Sequence, residues 1–290
     1  LQAKLAEARQ QVRELDADPR HTFVRGDIGD AALVERVLPG HDVVVNFAAE
    51  THVDRSITGP AVFLQTNVVG TGVLLDAARR HGIGRFLQVS TDEVYGSLAE
   101  GFAGEDAPLR PSSPYSASKA AGDLLARSYA VTYQYGVIVT RCTNNYGPYQ
   151  FPEKVIPLFV TNLLEGRKVP LYGQGRNERD WLHVADHCAA LHLLVDRGAP
   201  GEVYNIGADA QLANLELTRR ILAALGAGEE MIERVPDRPG HDLRYAVDSS
   251  KLRRLGWAPA HPFEEHLAAT IDWYRRRADW WRPLKEGAHK

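Results

Sequence analysis

The chain has 290 residues, enough for about two domains and a large buried core. With 44% hydrophobic and 24% charged residues, it is not a disordered, collagen-like or coiled-coil chain. Lys+Arg 34 against Asp+Glu 37 gives a net charge of −3, and the longest basic run is Arg275–Arg277, so neither nucleic acid nor an anionic membrane surface is an expected partner.

No apolar run approaches the roughly 18–20 residues of a membrane span, and no signal-peptide pattern is visible. Cys142 and Cys188 have no metal-type spacing and are expected to be buried small hydrophobes. A reducing, cytoplasmic compartment is the simplest expectation. The first residue is Leu1 and the sole methionine is Met231, which predicts a trimmed, processed or incomplete translation product.

Leu1, Leu5, Ala8, Val12 and Leu15 follow helical spacing, and residues 21–25 read as a strand. A short helix is expected over 31–38 and a buried strand over 43–47. The next helix, 61–81, carries two apolar stripes: Leu64, Val68, Leu75, Ala78 and Phe63, Gly70, Leu74, Ala77. Two faces imply packing on a sheet and on something else, such as a second subunit. A strand at 85–90, a helix from 116 to about 135 and a strand at 136–141 follow. Such alternation with continuous apolar strands predicts a parallel sheet covered on both faces. Beyond Tyr149, prolines and the Gly173-Gln174-Gly175 turn break the texture. A tail helix bearing Phe263, Leu267, Ile271 and Tyr274 closes a smaller second domain, laid over the carboxyl ends of the sheet where ligands bind in open α/β folds.

Asp92 and Glu93 directly follow the 85–90 strand. Adjacent carboxylates with unequal burial have pKa values pushed apart, leaving one acid and one base. An acid-rich helix start explains them equally, and alone they favour that reading. Tyr115 and Lys119 stand i and i+4 at a helix start after Pro114, on one face. A neighbouring ammonium would lower the phenol pKa from near 10. His183 and His187 have metal-ligand spacing but no suggested third ligand, so no metal is expected; Asp180 or Asp186 is expected to cap their helix. The five tryptophans read as packing.

The strings NFAAETHVDRSI (46–57), STDEVYG (90–96), YSASKAAGD (115–123), TRCTNNYGPYQFPEKVIPL (140–158), RDWLHVADH (179–187), YNIG (204–207) and DRPGHDLRYAVD (237–248) resemble extended short-chain dehydrogenase/reductases acting on nucleotide sugars. Among these they most resemble dTDP-glucose 4,6-dehydratases, over residues 18–281. Asp92-Glu93 discriminates, because epimerases and decarboxylases on this fold keep the YxxxK but generally lack the pair. The resemblance implies an α/β, Rossmann-like doubly wound parallel sheet (residues 1–151 with 181–207) that binds NAD. It also implies a smaller α+β domain (152–180 with 208–290) that binds the nucleotide sugar.

By the same resemblance, Tyr115 with Lys119 removes the sugar C4 hydroxyl proton and Thr91 steadies the C4 oxygen. Glu93 takes the C5 proton and Asp92 protonates the departing C6 hydroxyl. Asp27, Ile28, Phe47, Ala48, Ala49, Thr66, Tyr115, Lys119 and Asn145 correspond to cofactor contacts. Thr51, Thr91 and Asn144 correspond to sugar contacts, and Lys154, Val155, Pro170, Leu171, Tyr172 and Asn214 to nucleotide contacts. Arg179, Arg238 and His241 correspond to a diphosphate clamp. The family's usual dimer would use the helices 61–81 and 116–135. The family opens with a glycine-rich strand–turn–helix unit that cradles the pyrophosphate, and no GxGxxG or GxGxxA occurs in the 290 residues. The expectation is therefore a dehydratase that is N-terminally incomplete. A UDP-glucose 4,6-dehydratase, or a nucleotide-sugar-binding protein impaired in turnover, are the alternatives.

Overall fold

The computed structural model describes residues 18–287; the helical pattern at Leu1–Leu15 lies outside the described residues. The main sheet is parallel, in the order β1-β2-β3-β7. Its strands are β1 (Val43–Asn46), β2 (Arg85–Thr91), β3 (Val137–Cys142) and β7 (Val203–Ile206). Side chains alternate across it: Phe86, Val137 and Val139 enter one core, and Leu87 and Ile138 enter the other. The first core is closed by α1 (Ala31–Val37) and α3 (Ala61–Arg80). The second is closed by α6 (Val184–Arg197), α8 (Ser250–Arg254) and Trp257. Each buried Leu, Ile or Phe contributes about 1.5–3 kcal/mol, so the continuous apolar strands force two covered faces.

The 21–25 strand does not form. Phe23 and Val24 are exposed, and the segment joins no sheet. A strand requires a partner for its ladder hydrogen bonds, and β1 pairs only with β2 among the described residues.

Helix α3 meets the length and hydropathy (1.3) of a membrane span, contrary to the sequence expectation. Its apolar residues do two jobs instead. Leu74, Leu75, Ala77 and Ala78 are buried in the sheet core, whereas Val62, Leu64 and Val69 are exposed. Leu64 departs from the stripe expected to hold it with Leu75, because residues Gln65–Gly70 form a π-helical stretch. That stretch inserts an extra residue into the turn and rotates the face. Asn67 within it is buried and bonds Glu50 O and Ser118 Oγ, tying α3 to the next helix.

That helix, α4 (Pro114–Tyr133), starts with a capping box between Ser113 and Ser116 and with Pro114 in its first turn. Tyr115, Lys119, Gly122, Asp123 and Ala126 share its buried face. A Cβ on Gly122 would stand 2.7 Å from Asn67 O, so only glycine permits this approach of α3.

A second core joins β4 (Asn144–Tyr146), α5 (Val155–Leu164), β5 (Val169–Tyr172), β6 (Glu178–His183) and α7 (Asn214–Leu225) with α9 (Phe263–Arg276) and α10 (Ala278–Gly287). The expected tail-helix residues Leu267, Ile271 and Tyr274 are buried in it. Short sheets β4-β6-β8 (β8, Gln211–Ala213) and β5-β9 (β9, Ile232–Val235) complete this region, and α2 (Val53–Thr58) packs against α4.

One buried ion pair ties α4 to the main sheet. Arg141 on β3 donates from Nε to Asp123 on α4 at 3.0 Å, and both side chains are fully buried. Removing one partner strands a charge in low dielectric. Asp123→Ala is therefore expected to lose about 3–5 kcal/mol of unfolding free energy, checked by urea denaturation.

Candidate active site

The carboxyl end of β2 turns into a 3-10 segment, Asp92–Tyr95, whose second amide, Glu93 N–H, donates to Thr91 Oγ1 at 3.2 Å. The turn ends at Gly96, with φ +74 and Arg110 O only 2.2 Å from where a Cβ would stand. Glycine is required there on both counts. Thr91 and Asp92 are buried, and the Thr91 hydroxyl donates to Asp92 Oδ1 at 3.2 Å.

The two carboxylates occupy unequal surroundings. Burial, then the neighbouring Glu93, pushes Asp92 well above the ordinary carboxylate range, with Asp180 adding to the rise. Burial also raises Glu93, but Arg179, Arg238 and Lys154 oppose it. Asp92 thus holds its proton more strongly, which suits an acid beside a base.

Tyr115 is buried edge-on against Phe63, their ring centroids 6.3 Å apart. The expectation that Lys119 lowers its pKa is not met. Lys119 Nζ donates to Val89 O at 2.7 Å, and its charge faces Asp123 and Cys142. Burial, followed by Glu93, pushes the phenol well up, and Thr91 is the neighbour that lowers it. Burial also lowers Lys119.

A cavity of about 350 Å³ opens beside Glu93. Every expected substrate contact except Thr91 lines it: Thr51, Asn144, Lys154, Val155, Pro170, Leu171, Tyr172, Arg179, Asn214, Arg238 and His241. Lys154 Nζ donates to Thr51 O and Oγ1, both at 3.1 Å. Arg179 lies 4.3 Å over the Tyr245 ring and donates to Asp242 O. His241 Nδ1 meets Asp237 at 2.5 Å. These contacts set the cationic wall before any ligand arrives.

Of the expected cofactor contacts, only Asn145 lines this cavity. Asp27 and Ile28 line a separate apolar cleft of about 150 Å³ with Val24, Leu33 and Leu74. Ala48 and Ala49 are half-buried just past β1, Phe47 is exposed, and Thr66 sits half-buried in the π-helical stretch of α3.

Sequence reasoning missed several lining residues. His52 and Asp54 lie beside Thr51 in the quoted 46–57 string, and that adjacency was the available signal. Asp54 accepts from Tyr172 OH at 3.2 Å and lies 4.0 Å from Arg238. Glu153 pairs with Arg55 at 2.6 Å. Trp181, one of five tryptophans expected chiefly as packing with one of them able to stack on a base, walls the cavity. Cys188 is exposed, not buried as expected. Neither Asp180 nor Asp186 caps α6, since His183 Nδ1 accepts the Ala185 N–H. Asp180 instead accepts the Ala208 and Ala210 amides. His187 Nδ1 meets Asn145 Oδ1 at 2.9 Å, away from any metal-like pairing with His183.

The GDP-mannose 4,6 dehydratase family model matches residues 2–270. A dTDP-glucose 4,6-dehydratase of Streptomyces antibioticus is 59% identical over 270 residues, spanning 93% of this chain and 81% of that protein. The chain belongs to the dTDP-glucose 4,6-dehydratase family. The relative from Streptomyces niveus is 56% identical over 266 residues, 91% of this chain and 79% of its own length. The crystal structure of the Streptomyces venezuelae dTDP-glucose 4,6-dehydratase DesIV, with NAD and TYD bound, superposes with a TM-score of 0.94. It is 54% identical, covering 95% of this chain and 86% of that one.

Asp92 provides a test of the electrostatics. Its raised folded pKa means the folded state binds more protons than the unfolded one once pH exceeds the unfolded value near 3.9, so stability falls as pH rises. Asp92→Asn keeps the shape and removes the buried ionisation. Its melting temperature should exceed the parent's at pH 8, with the gap closing towards about pH 4, as read by calorimetry across that range.

Proposed function

We propose that the chain is a hydro-lyase converting dTDP-glucose to dTDP-4-keto-6-deoxyglucose, with NAD⁺ regenerated in each cycle. The observation that carries this reading is the pair Asp92-Glu93, held in unequal electrostatic surroundings beside Tyr115 and the cationic cavity. Acceptors suited to sugar hydroxyls support it: Asn144 Oδ1 and Asp92 Oδ2 are buried without a partner among the described residues.

Thr91 steadies the C4 oxygen while Tyr115 takes the C4 hydroxyl proton; Lys119, one turn along α4, donates to Val89 O and would hold the cofactor rather than lower the phenol pKa. The resulting ketone acidifies C5, and Glu93 takes that proton. Asp92 gives its proton to the departing C6 hydroxyl, which leaves as water across C5–C6. A proton is then restored at C5. When bound, NAD⁺ supplies the acceptance of hydride from C4 and its return to C6.

The residues fit that cofactor. The open apolar cleft at Asp27 and Ile28 suits an adenine, and Ala48 and Ala49 let a ligand approach the backbone past β1. Phe47, Thr66, Tyr115, Lys119 and Asn145 would hold the remainder. In this reading 1–151 with 181–207 bind the cofactor, and 152–180 with 208–290 bind the nucleotide sugar. Arg179, Arg238 and His241 take the diphosphate, and Lys154, Val155, Pro170, Leu171, Tyr172 and Asn214 take the nucleoside. Two free cysteines are consistent with a cytoplasmic setting.

Substrate deuterated at C4 should yield 4-keto-6-deoxy product labelled at C6. No product with added NAD⁺ would sink the enzyme reading, and equal turnover of UDP-glucose would shift the nucleotide assignment. Glu93→Gln should cut dehydration by roughly 10²–10⁴-fold while sparing C4 oxidation; parental rates would place the base elsewhere.

We further propose a homodimer through α3 and α4. Val62, Leu64 and Val69 on the first, and Leu124, Val131 and Tyr133 on the second, are exposed. Sedimentation at micromolar concentration should give a dimer that Leu64→Glu dissociates, and a monomeric parent would refute the pairing.

A further inference from the structure

Outside the nucleotide cavity, three imidazoles meet where the end of β6, the loop before α9 and the first turn of α9 come together. One ligand nitrogen from each of His183, His261 and His266 lies within 4.8 Å of the other two. The rings touch: His183 stacks on His261 at 4.6 Å, and His266 approaches the pair at 5.0 and 4.5 Å between centroids. Three imidazoles in contact, all half-buried, form an unusual packing unit, since each ring carries a nitrogen that desires a polar partner.

The second layer has metal-site character. His261 Nδ1 meets Asp186 Oδ1 at 2.6 Å, and the same buried carboxylate accepts the Ala260 and His261 amides at 3.0 and 3.1 Å. An Nδ1–H held by a carboxylate leaves Nε2 as the lone-pair donor and fixes the ring, the usual backing of a metal-bound histidine. His183 is held only by a long 3.3 Å bond from the Ala185 N–H. Coordination exchanges that bond for one to the metal. A tetrahedral site with metal–nitrogen bonds near 2.1 Å places its ligand nitrogens about 3.4 Å apart, so side-chain rotation closes the remaining gap.

We propose that His183, His261 and His266 bind one divalent transition-metal ion of the zinc class, with Asp186 holding His261 behind them. Imidazole donors select such ions over magnesium or calcium, which take oxygen ligands. The ion acts as a staple: it pins the start of α9 to the junction of β6 and α6. Phe263, in that first turn, packs against Tyr146 and against Trp181, a wall of the nucleotide cavity. The staple thereby fixes one wall of the cavity without touching the reacting groups.

The test uses the full chain after chelator treatment and desalting. Zn²⁺ titrated by calorimetry should bind one equivalent and, at about a hundredfold excess over its Kd, raise the melting temperature by roughly 5 °C. Mg²⁺ should do neither. Co²⁺ should give visible d–d absorption from a nitrogen-rich tetrahedral site, lost in His266→Ala and in His261→Ala and kept in the exposed-site control His192→Ala. Circular dichroism verifies that each variant is folded, and the cobalt spectrum of the parent stands whether or not they are. A parent without cobalt bands, an equal effect of Mg²⁺, or a zinc response retained in both folded variants would each overturn the proposal.

Discussion

The buried guanidinium of Arg141 is the fixed point on which the candidate site rests. It reaches Asp123 on α4, Tyr95 OH at the end of the post-β2 turn, and Glu105 O in the following loop. Tyr95 in turn donates to Asn205 on β7 at 2.8 Å, and Asn205 holds Ala103 O and Asp248 O. A charge without solvent is costly, so these acceptors must be present together and in register. The elements they fix are those that carry Asp92, Glu93, Tyr115 and Lys119. A structural network between α4, the post-β2 turn and the sheet thereby sets the geometry of the chemistry at its carboxyl edge.

Burial does the electrostatic work on the front. Asp92, Glu93, Tyr115 and Lys119 each have their charged form disfavoured first by desolvation. What separates the two acids is the company each keeps. Arg179 faces both, but Glu93 also faces Arg238 and Lys154 from the second core region, whereas Asp92 also faces Glu93 and Asp180. The sheet presents both carboxylates, but the overlying region supplies the cations that oppose the rise of Glu93.

The alternating apolar strands and the helix starts were legible because they depend on local periodicity and capping. The helix expected from 116 forms, starting two residues earlier at Pro114, and the two-faced strands β2 and β3 appear in the fold as read. The 21–25 segment misled, since a strand's pattern says nothing about whether a neighbour is there to pair with it. Leu64 misled for a related reason: a π-helical turn changes the face, and no residue in 65–70 announces it. The lining residues Thr51 and Lys154 were legible through motif strings; Asp54, Glu153 and Trp181 stand in the same strings, but their part in the cavity wall was not legible, because the groups they meet come from distant segments.

By itself the sequence determined the class of fold, the Asp-Glu and YxxxK constellation and most of the nucleotide cavity's lining. The fold class and the constellation follow from spacing and residue type, which are properties of short stretches of chain, and the lining from the resemblance of the motif strings to a family. The tertiary structure alone decided that Lys119 turns to the Val89 carbonyl, that burial raises both Asp92 and Glu93 with Asp92 pushed well above the ordinary range, and that His183 meets His261 and His266 rather than His187. Each of these depends on desolvation and on neighbours far away in sequence, and such quantities exist only once the chain has folded.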